Sequence, residues 1–280
     1  MDELYISHHQ DVNIFHFFSL EISAIYKLKP KHIYLKYFID NPVHRWRRDF
    51  ISALGIQVYT EDIPKTFSQT KDLPITGWLF DSWTFVQYLP DYKIMQIPNI
   101  VRENFSILEK QSDIIFIKRD KSRVLYDLDG NLLHETLAKH IPALKIVSFD
   151  NISFKEQVEI LSNAAVLISC HGAANTNVLF MPRKSKFIEI SFRNHWYCDP
   201  PCKEHFSGEL DFKTKCNSHG LTYRPYYHKA DYHNLAKLCD IKYAEVSLEY
   251  AEEFLTTDIN RINLRKIYVD HTKVLALTNI

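Results

Sequence analysis

Apolar runs alternate with helical spacings through the first sixty positions. Asp11 to Phe18 reads as a strand, and Leu20, Ile22, Ala24, Ile25 and Leu28 follow at the spacing of one helix face until Pro30 ends it. His32 to Ile39 alternates as a second strand. Arg45 to Leu54 reads as a helix with Gly55 as its C-cap, and Ile56 to Tyr59 as a third strand. This βαβ rhythm predicts a parallel sheet covered by helices. Residues 60–100, punctuated by Pro64, Pro74, Gly77, Pro90 and Pro98, read as loop-rich, with a helix near 101–111.

A second series starts at Asp113. Ile114 to Ile117 is an uninterrupted apolar run of the kind that fills a buried parallel strand. Asn131 to His140 reads as an amphipathic helix and Lys145 to Phe149 as a strand. Ser153 caps a helix running to Ala164, with Glu156 completing a capping box. Val166 to Ser169 is another buried strand, a helix starts at His171-Gly172, and Phe187 to Ile190 is the next strand. Ser247 to Phe254 reads as helical. The pattern predicts an α/β protein of two Rossmann-like domains, 1–108 and 109–280, facing a cleft, with the last helix packing back on the first domain.

Composition changes this picture at few points. The chain has 280 residues, 46% hydrophobic, enough for one large core or two modest ones. Its 34 Lys and Arg balance 34 Asp and Glu, which argues against a nucleic-acid or membrane-surface partner while leaving room for a local basic pocket. Only 6 glycines occur, so each one kept points to a backbone requirement. The 5 cysteines are odd in number and follow no secretory signal, which argues against a disulfide framework. Cys198 and Cys202, flanked by His195 and His205, have a spacing that zinc accepts, but no second paired cluster follows, so reduced thiols are expected. The start lacks a basic region and cleavage site, and the run from Ile14 to Ile25 is too short and polar to span a bilayer. A soluble, cytoplasmic chain with no integral membrane segment is expected.

Two segments carry candidate chemistry. In the first, the strand ending at Cys170 runs straight into His171-Gly172-Ala173-Ala174-Asn175-Thr176-Asn177. A strand, a turn of small residues and a helix start aim backbone N–H groups and a helix dipole at whatever lies beyond the strand. Gly172, Ala173 and Ala174 let a bulky anion approach, and His171 is placed to donate to it. The alternative is an ordinary βα turn with a packed histidine. In the second, Lys118, Arg119, Lys121 and Arg123 follow the other buried strand and are suited to clamp a diphosphate, or else form a solvated charged loop. Glu189, at the end of its strand, is placed to accept from ribose hydroxyls or to sit in an ion pair. In the N-terminal half Asn13 and His16 lie where a strand passes into a helix, and His16 or Asp81 is a candidate general base; His8, His9 and Asp40 are further candidates.

Taken in order, these segments resemble glycosyltransferase family 61. Asn13 to Phe18 is similar to its N-x-x-H opening, and Phe116 to Arg119 with Arg123-Val124-Leu125 to its strand-Arg segment. Phe154-Lys155-Glu156-Gln157, Ala164-Ala165, His171 to Phe180 and Ile188-Glu189-Ile190 resemble its C-terminal signature. The close match covers 113–191 and a looser one 11–60. Two departures stand out: Ala174 replaces the family's second glycine, and Ala165 its aspartate.

The resemblance implies a GT-B type pair of domains, with the acceptor on the N-terminal one and the nucleotide on the C-terminal one. It implies an inverting, metal-independent transfer of a sugar, xylose from UDP-xylose being the favoured donor, to a glycan hydroxyl. It also implies no cofactor beyond the UDP-sugar donor. His16 or Asp81 would be the base. Arg119, Arg123, His171, Gly172, Ala173, Ala174, Asn175, Asn177 and Glu189 would bind the donor, and no residue would bind metal. A chain without a leader fits a bacterial or large-virus member of the family, such as a xylosyltransferase of capsid glycans. Asp127-Leu128-Asp129 matches the metal-holding pattern of another class of sugar transferases, but Gly130-Asn131 makes it read as a turn. A non-catalytic carbohydrate or nucleotide-sugar binder of the same fold is the alternative. A Rossmann oxidoreductase is disfavoured because no G-x-G-x-x-G follows any strand.

Overall fold

The computed structural model describes residues 3–7, 25, 29–36, 42–60, 71–73, 96–150, 152–191, 195–197, 205–207, 231–254 and 264–278. The expected strand over 11–18 lies outside them, as do His8, His9, Asn13, His16, Asp40, Asp81, Cys198, Cys202 and Cys216.

The N-terminal half contains β1 (Glu3–Ser7), β2 (His32–Lys36), α1 (Pro42–Ala53), β3 (Gln57–Tyr59), β4 (Lys71–Leu73) and α2 (Gln96–Phe105). Among the described residues its four strands are all parallel, in the order β3-β2-β1-β4. The strand β1 was not expected; it pairs with both β2 and β4 and is therefore interior to the sheet. Leu4, Ile33 and Leu35 drive these pairings, each essentially without exposed surface. Gly55 ends α1 with φ of +80°, the left-handed conformation of a C-cap glycine. The helix expected near 101–111 starts five residues earlier, at Gln96. Pro98 is tolerated because it sits in the first turn, where no N–H partner is lost.

The C-terminal half contains β5 (Asp113–Ile117), β6 (Val124–Tyr126), α3 (Leu133–His140), β7 (Leu144–Val147), α4 (Phe154–Ser162), β8 (Ala164–Cys170), a 3-10 helix (Ala173–Phe180) and β9 (Lys186–Ser191). It continues with β10 (His195–Tyr197), β11 (His205–Ser207), α5 (Asp231–Leu238), β12 (Lys242–Ser247), β13 (Tyr250–Phe254), β14 (Leu264–Tyr268) and α6 (His271–Thr278). The main sheet is parallel throughout, in the order β12-β9-β8-β5-β7. Counted from β5, that is the doubly wound order 2-1-3-4-5, whose direction of winding reverses between β5 and β8. Side chains alternate between two faces: Ile115, Ile117, Leu167 and Phe187 join one apolar cluster, and Phe116, Ile168, Ile188 and Ile190 the other. Ser153 accepts from the Glu156 backbone while the Glu156 carboxylate accepts from the Ser153 N–H, so the expected capping box on α4 forms.

Two expectations fail here. Ser247–Phe254 is not a helix: β12 ends at Ser247, and Tyr250–Phe254 is a strand paired antiparallel with β14. Tyr250 stacks on Tyr268 at 4.2 Å between centroids, and Tyr268 on Tyr126 at 5.6 Å. Cross-strand aromatic pairing outweighs the helix propensity of Ala251, Glu252 and Glu253. The element after Gly172 is a 3-10 helix rather than an α-helix. Its last six residues are wholly buried, so packing and not a solvent-facing dipole sets its conformation. The last helix, α6, packs on α3 and β12, and Lys186 donates to its Leu277 carbonyl at 2.9 Å.

The halves share one apolar cluster. Trp46 and Phe50 of α1 meet Phe154 of α4 at 5.1 Å each, Phe50 meets Phe180 at 5.9 Å, and Phe105 of α2 meets Phe154 at 5.7 Å. Such tilted and edge-on contacts add to the area buried by each ring. Arg102 of α2 donates to the Phe180 carbonyl at 3.2 Å. Among the described residues no helix is long and apolar enough to cross a membrane.

Candidate functional site

The pairing of Ile117 with Ser169 puts the ends of β5 and β8 side by side. The loops that follow, Lys118–Arg123 and His171–Gly172, therefore leave the sheet together at its topological switch point. Open α/β sheets bind ligands in the crevice formed there.

The two arginines converge on Gly172. A Cβ on Gly172 would lie 2.5 Å from Arg119 Nη1 and 3.1 Å from Arg123 Nη1, so both guanidinium groups fill the space a side chain would take. The backbone of Gly172 is extended, at φ 164° and ψ 171°. Glycine is thus required for room and not for its torsions. The sequence reading gave that room to the ligand; in the structure the arginines occupy it.

Arg123 and Arg119 differ in what they do. Arg123 adopts a left-handed φ of +57° and donates from Nη1 to the His171 carbonyl at 2.6 Å. A non-glycine residue held there costs about 1–3 kcal/mol, and the bond to His171 is part of what holds it. Arg119 is half-buried and makes no hydrogen bond or ion pair among the described residues. Burial, then the neighbouring Arg123 charge, lower its pKa, with Cys170, Asp150 and Tyr232 opposing. A desolvated cation beside a second cation has the character of a place for an anion. Lys118 pairs with Asp120 at 3.1 Å on the surface, and Lys121 is exposed, so neither shares that environment.

His171 is fixed at four points. Its N–H donates to the Ile190 carbonyl at 2.8 Å, and its own carbonyl accepts from Arg123. Its Nδ1 lies 2.7 Å from Glu189 Oε1, and its ring meets Tyr232 of α5 edge-on at 5.3 Å. A carboxylate only accepts, so Nδ1 carries the hydrogen. Cys170, directly before it, is buried, and burial pushes its thiol up to about 11. It is no nucleophile at neutral pH.

Several residues expected at the ligand face inward. Glu189 is buried, and its Oε1 also accepts from Asn175 Nδ2 at 3.1 Å while Oε2 accepts from Tyr243 Oη at 2.6 Å. Asn175 has no exposed surface, and its Oδ1 accepts from Ser169 Oγ at 2.7 Å. Asn177, equally buried, donates to Gln157 Oε1 of α4 at 3.0 Å. These side chains build the site. Ala173 and Ala174 begin the 3-10 helix beside it and are half-buried. Asp127 is also structural: its carboxylate accepts from the Asp129 and Asn131 N–H groups, the Asn131 side chain and Thr136 Oγ1 at 2.6 Å. Burial raises its pKa, but those bonds outweigh it and hold the carboxyl below the usual range. His16 and Asp81 lie outside the described residues.

Sequence reasoning missed Tyr232 and Tyr243. Both lie some forty residues or more beyond the last motif, and only the parallel pairing of β9 with β12 brings Tyr243 to Glu189. The family model described as Glycosyltransferase 61 matches residues 2–188 of the chain. No curated protein matches it significantly.

Proposed function

The chain belongs to glycosyltransferase family 61, and on that premise we propose that it moves xylose from UDP-xylose to a hydroxyl of a glycan acceptor, with inversion and without a metal. The observation that carries the donor site is the Arg119 guanidinium, half-buried beside Arg123 and His171 at the switch point of the C-terminal sheet. A diphosphate is the ligand whose charge these cations suit, and its departure is stabilised there as charge develops. Saturation of Asp127 by its own turn supports a metal-independent reading, because the first carboxylate of the Asp-x-Asp pattern is taken.

In the reaction the acceptor oxygen bonds to the anomeric carbon from the face opposite the nucleotide. The bond from that carbon to the phosphate oxygen breaks, UDP leaves, and the acceptor proton passes to a base. His16 and Asp81 are the base candidates of the N-terminal half. The order β3-β2-β1-β4 supports a GT-B type pairing, since it too reverses its winding, between β1 and β4.

The test is a panel of UDP-sugars incubated with the purified protein in EDTA, with UDP release and thermal shift as readouts. Release from UDP-xylose is the expected result. Stabilisation by UDP with no release in the presence of glycan acceptors would instead favour a non-catalytic binder. Neither effect from any UDP-sugar would refute the donor site.

A further inference from the structure

Three loops leave the main sheet side by side at its ligand edge. Ile117 of β5 pairs with Ser169 of β8 on one side and with Val147 of β7 on the other, and the Lys118 N–H donates to the Val147 carbonyl at 2.8 Å. The loop after β7 therefore starts level with the arginine loop, and Asp150 is its third residue. Resting on the donor-site reading above, we propose that the Asp150 carboxylate accepts hydrogen bonds from the vicinal ribose hydroxyls of the donor nucleotide.

The acids around this edge differ in what they have left to offer. Glu189, which the sequence places at the ribose, is 3% exposed and accepts from Asn175 and Tyr243, so it has little reach toward a ligand. Asp120 pairs with Lys118 at 3.1 Å, and Glu245 accepts from Ser191 Oγ. Asp150 is exposed, and among the described residues its carboxylate makes no hydrogen bond or ion pair. It is also close enough to Arg119 for its charge to oppose the effect of burial on that guanidinium.

A carboxylate beside these cations repels a diphosphate, so its use lies one unit along the ligand, where the charge ends. Ribose and the transferred sugar flank the diphosphate, and both offer adjacent hydroxyls. The two oxygens of a carboxylate accept and so match a pair of hydroxyl donors. Strand order selects the ribose. Counted from β5, β7 is the second strand, on the side of β5 away from the switch point. In dinucleotide-binding sheets the turn after the first strand takes the pyrophosphate, and an acidic residue further along takes the ribose hydroxyl. Here the arginines follow the first strand and Asp150 the second.

The experiment is isothermal titration of the full chain with UDP, 2′,3′-dideoxy-UDP and UDP-xylose. Removing the Asp150 charge also changes the field at the diphosphate, so the readout is the ratio of affinities for UDP and its dideoxy analogue, in which that effect cancels. Wild type is expected to prefer UDP by about 10- to 100-fold, as for hydrogen bonds to a charged group. In Asp150→Ala the ratio should fall to within about twofold of one, because the hydroxyls and the carboxylate act as one pair. Asp150→Asn keeps a neutral acceptor and should fall between the two; it serves if the alanine variant fails to fold. A wild-type ratio near one, or a wild-type ratio kept in a folded Asp150→Ala, would overturn the proposal while leaving the donor site standing. So would an Asp150→Ala that loses affinity for UDP-xylose relative to UDP with the dideoxy ratio unchanged, which would move the carboxylate to the transferred sugar. No UDP binding by wild type would overturn the donor site, and this proposal with it.

Discussion

Replacing Gly172 by alanine adds one methyl group and tests whether the arginines or the ligand need the space above that residue. The new Cβ would lie 2.5 Å from Arg119 Nη1, 3.5 Å from Arg119 Cζ and 3.1 Å from Arg123 Nη1. Carbon and nitrogen do not approach to 2.5 Å, so Arg119 must swing away. Its guanidinium is the free end of a long side chain, and the extended backbone of Gly172 suits alanine. The fold should therefore survive, with a midpoint of urea unfolding near that of wild type. Arg123 faces a milder contact, but moving it disturbs the 2.6 Å bond to the His171 carbonyl. Losing one charge-assisted contact to a diphosphate corresponds to about 1.5–3 kcal/mol, or about 10- to 100-fold in UDP affinity. Titration of wild type and Gly172→Ala with UDP measures it. Affinity within twofold of wild type would refute the packing of the arginines on Gly172 as the basis of the anion site.

Other perturbations separate scaffold from site. Arg119→Met should weaken UDP binding by about 10- to 100-fold while leaving thermal stability unchanged or higher, because a desolvated cation is removed; a fall in stability would contradict this. Asn177→Ala cuts the tie to Gln157 and should destabilise by about 1–3 kcal/mol in urea without a comparable change in UDP affinity. Asp127 has a lowered folded-state pKa, so its stabilisation is present above the unfolded value near about pH 4 and is lost as pH falls through the folded value. Asp127→Ala should thus be less stable at pH 7 and lose less on acidification, read from urea curves at pH 2–7. Phe50→Ala, at the meeting of the halves, should cost about 3–5 kcal/mol.

What could be read from sequence follows from how local each signal is. The buried strands β5, β8 and β9 were legible because strands covered on both faces need unbroken apolar runs. The Ser153 capping box was legible because both partners lie within one turn. The strand β1 escaped notice because five residues, two of them Glu3 and Ser7, carry little periodicity; its neighbours β2 and β4 specify it. Glu252 and Glu253 invited a helix that the Tyr250–Tyr268 stack overrules. At the site, the spacing of Arg119 and Arg123 and the His171-Gly172 turn were visible. The inward use of Asn175, Asn177 and Glu189 was not, because their partners Ser169, Gln157 and Tyr243 are defined only by tertiary packing.

The aromatic cluster between the halves has a consequence during synthesis. Phe50 precedes its partner Phe154 by 104 positions and Phe180 by 130. At about 5–20 residues per second, Trp46 and Phe50 emerge roughly 5–25 s before the rings that cover them. For that interval α1 lacks the Phe154 and Phe180 rings that pack on it in the finished chain. A chain cut at residue 108 would lack them permanently, so the N-terminal half expressed alone is expected to aggregate more readily than the intact chain.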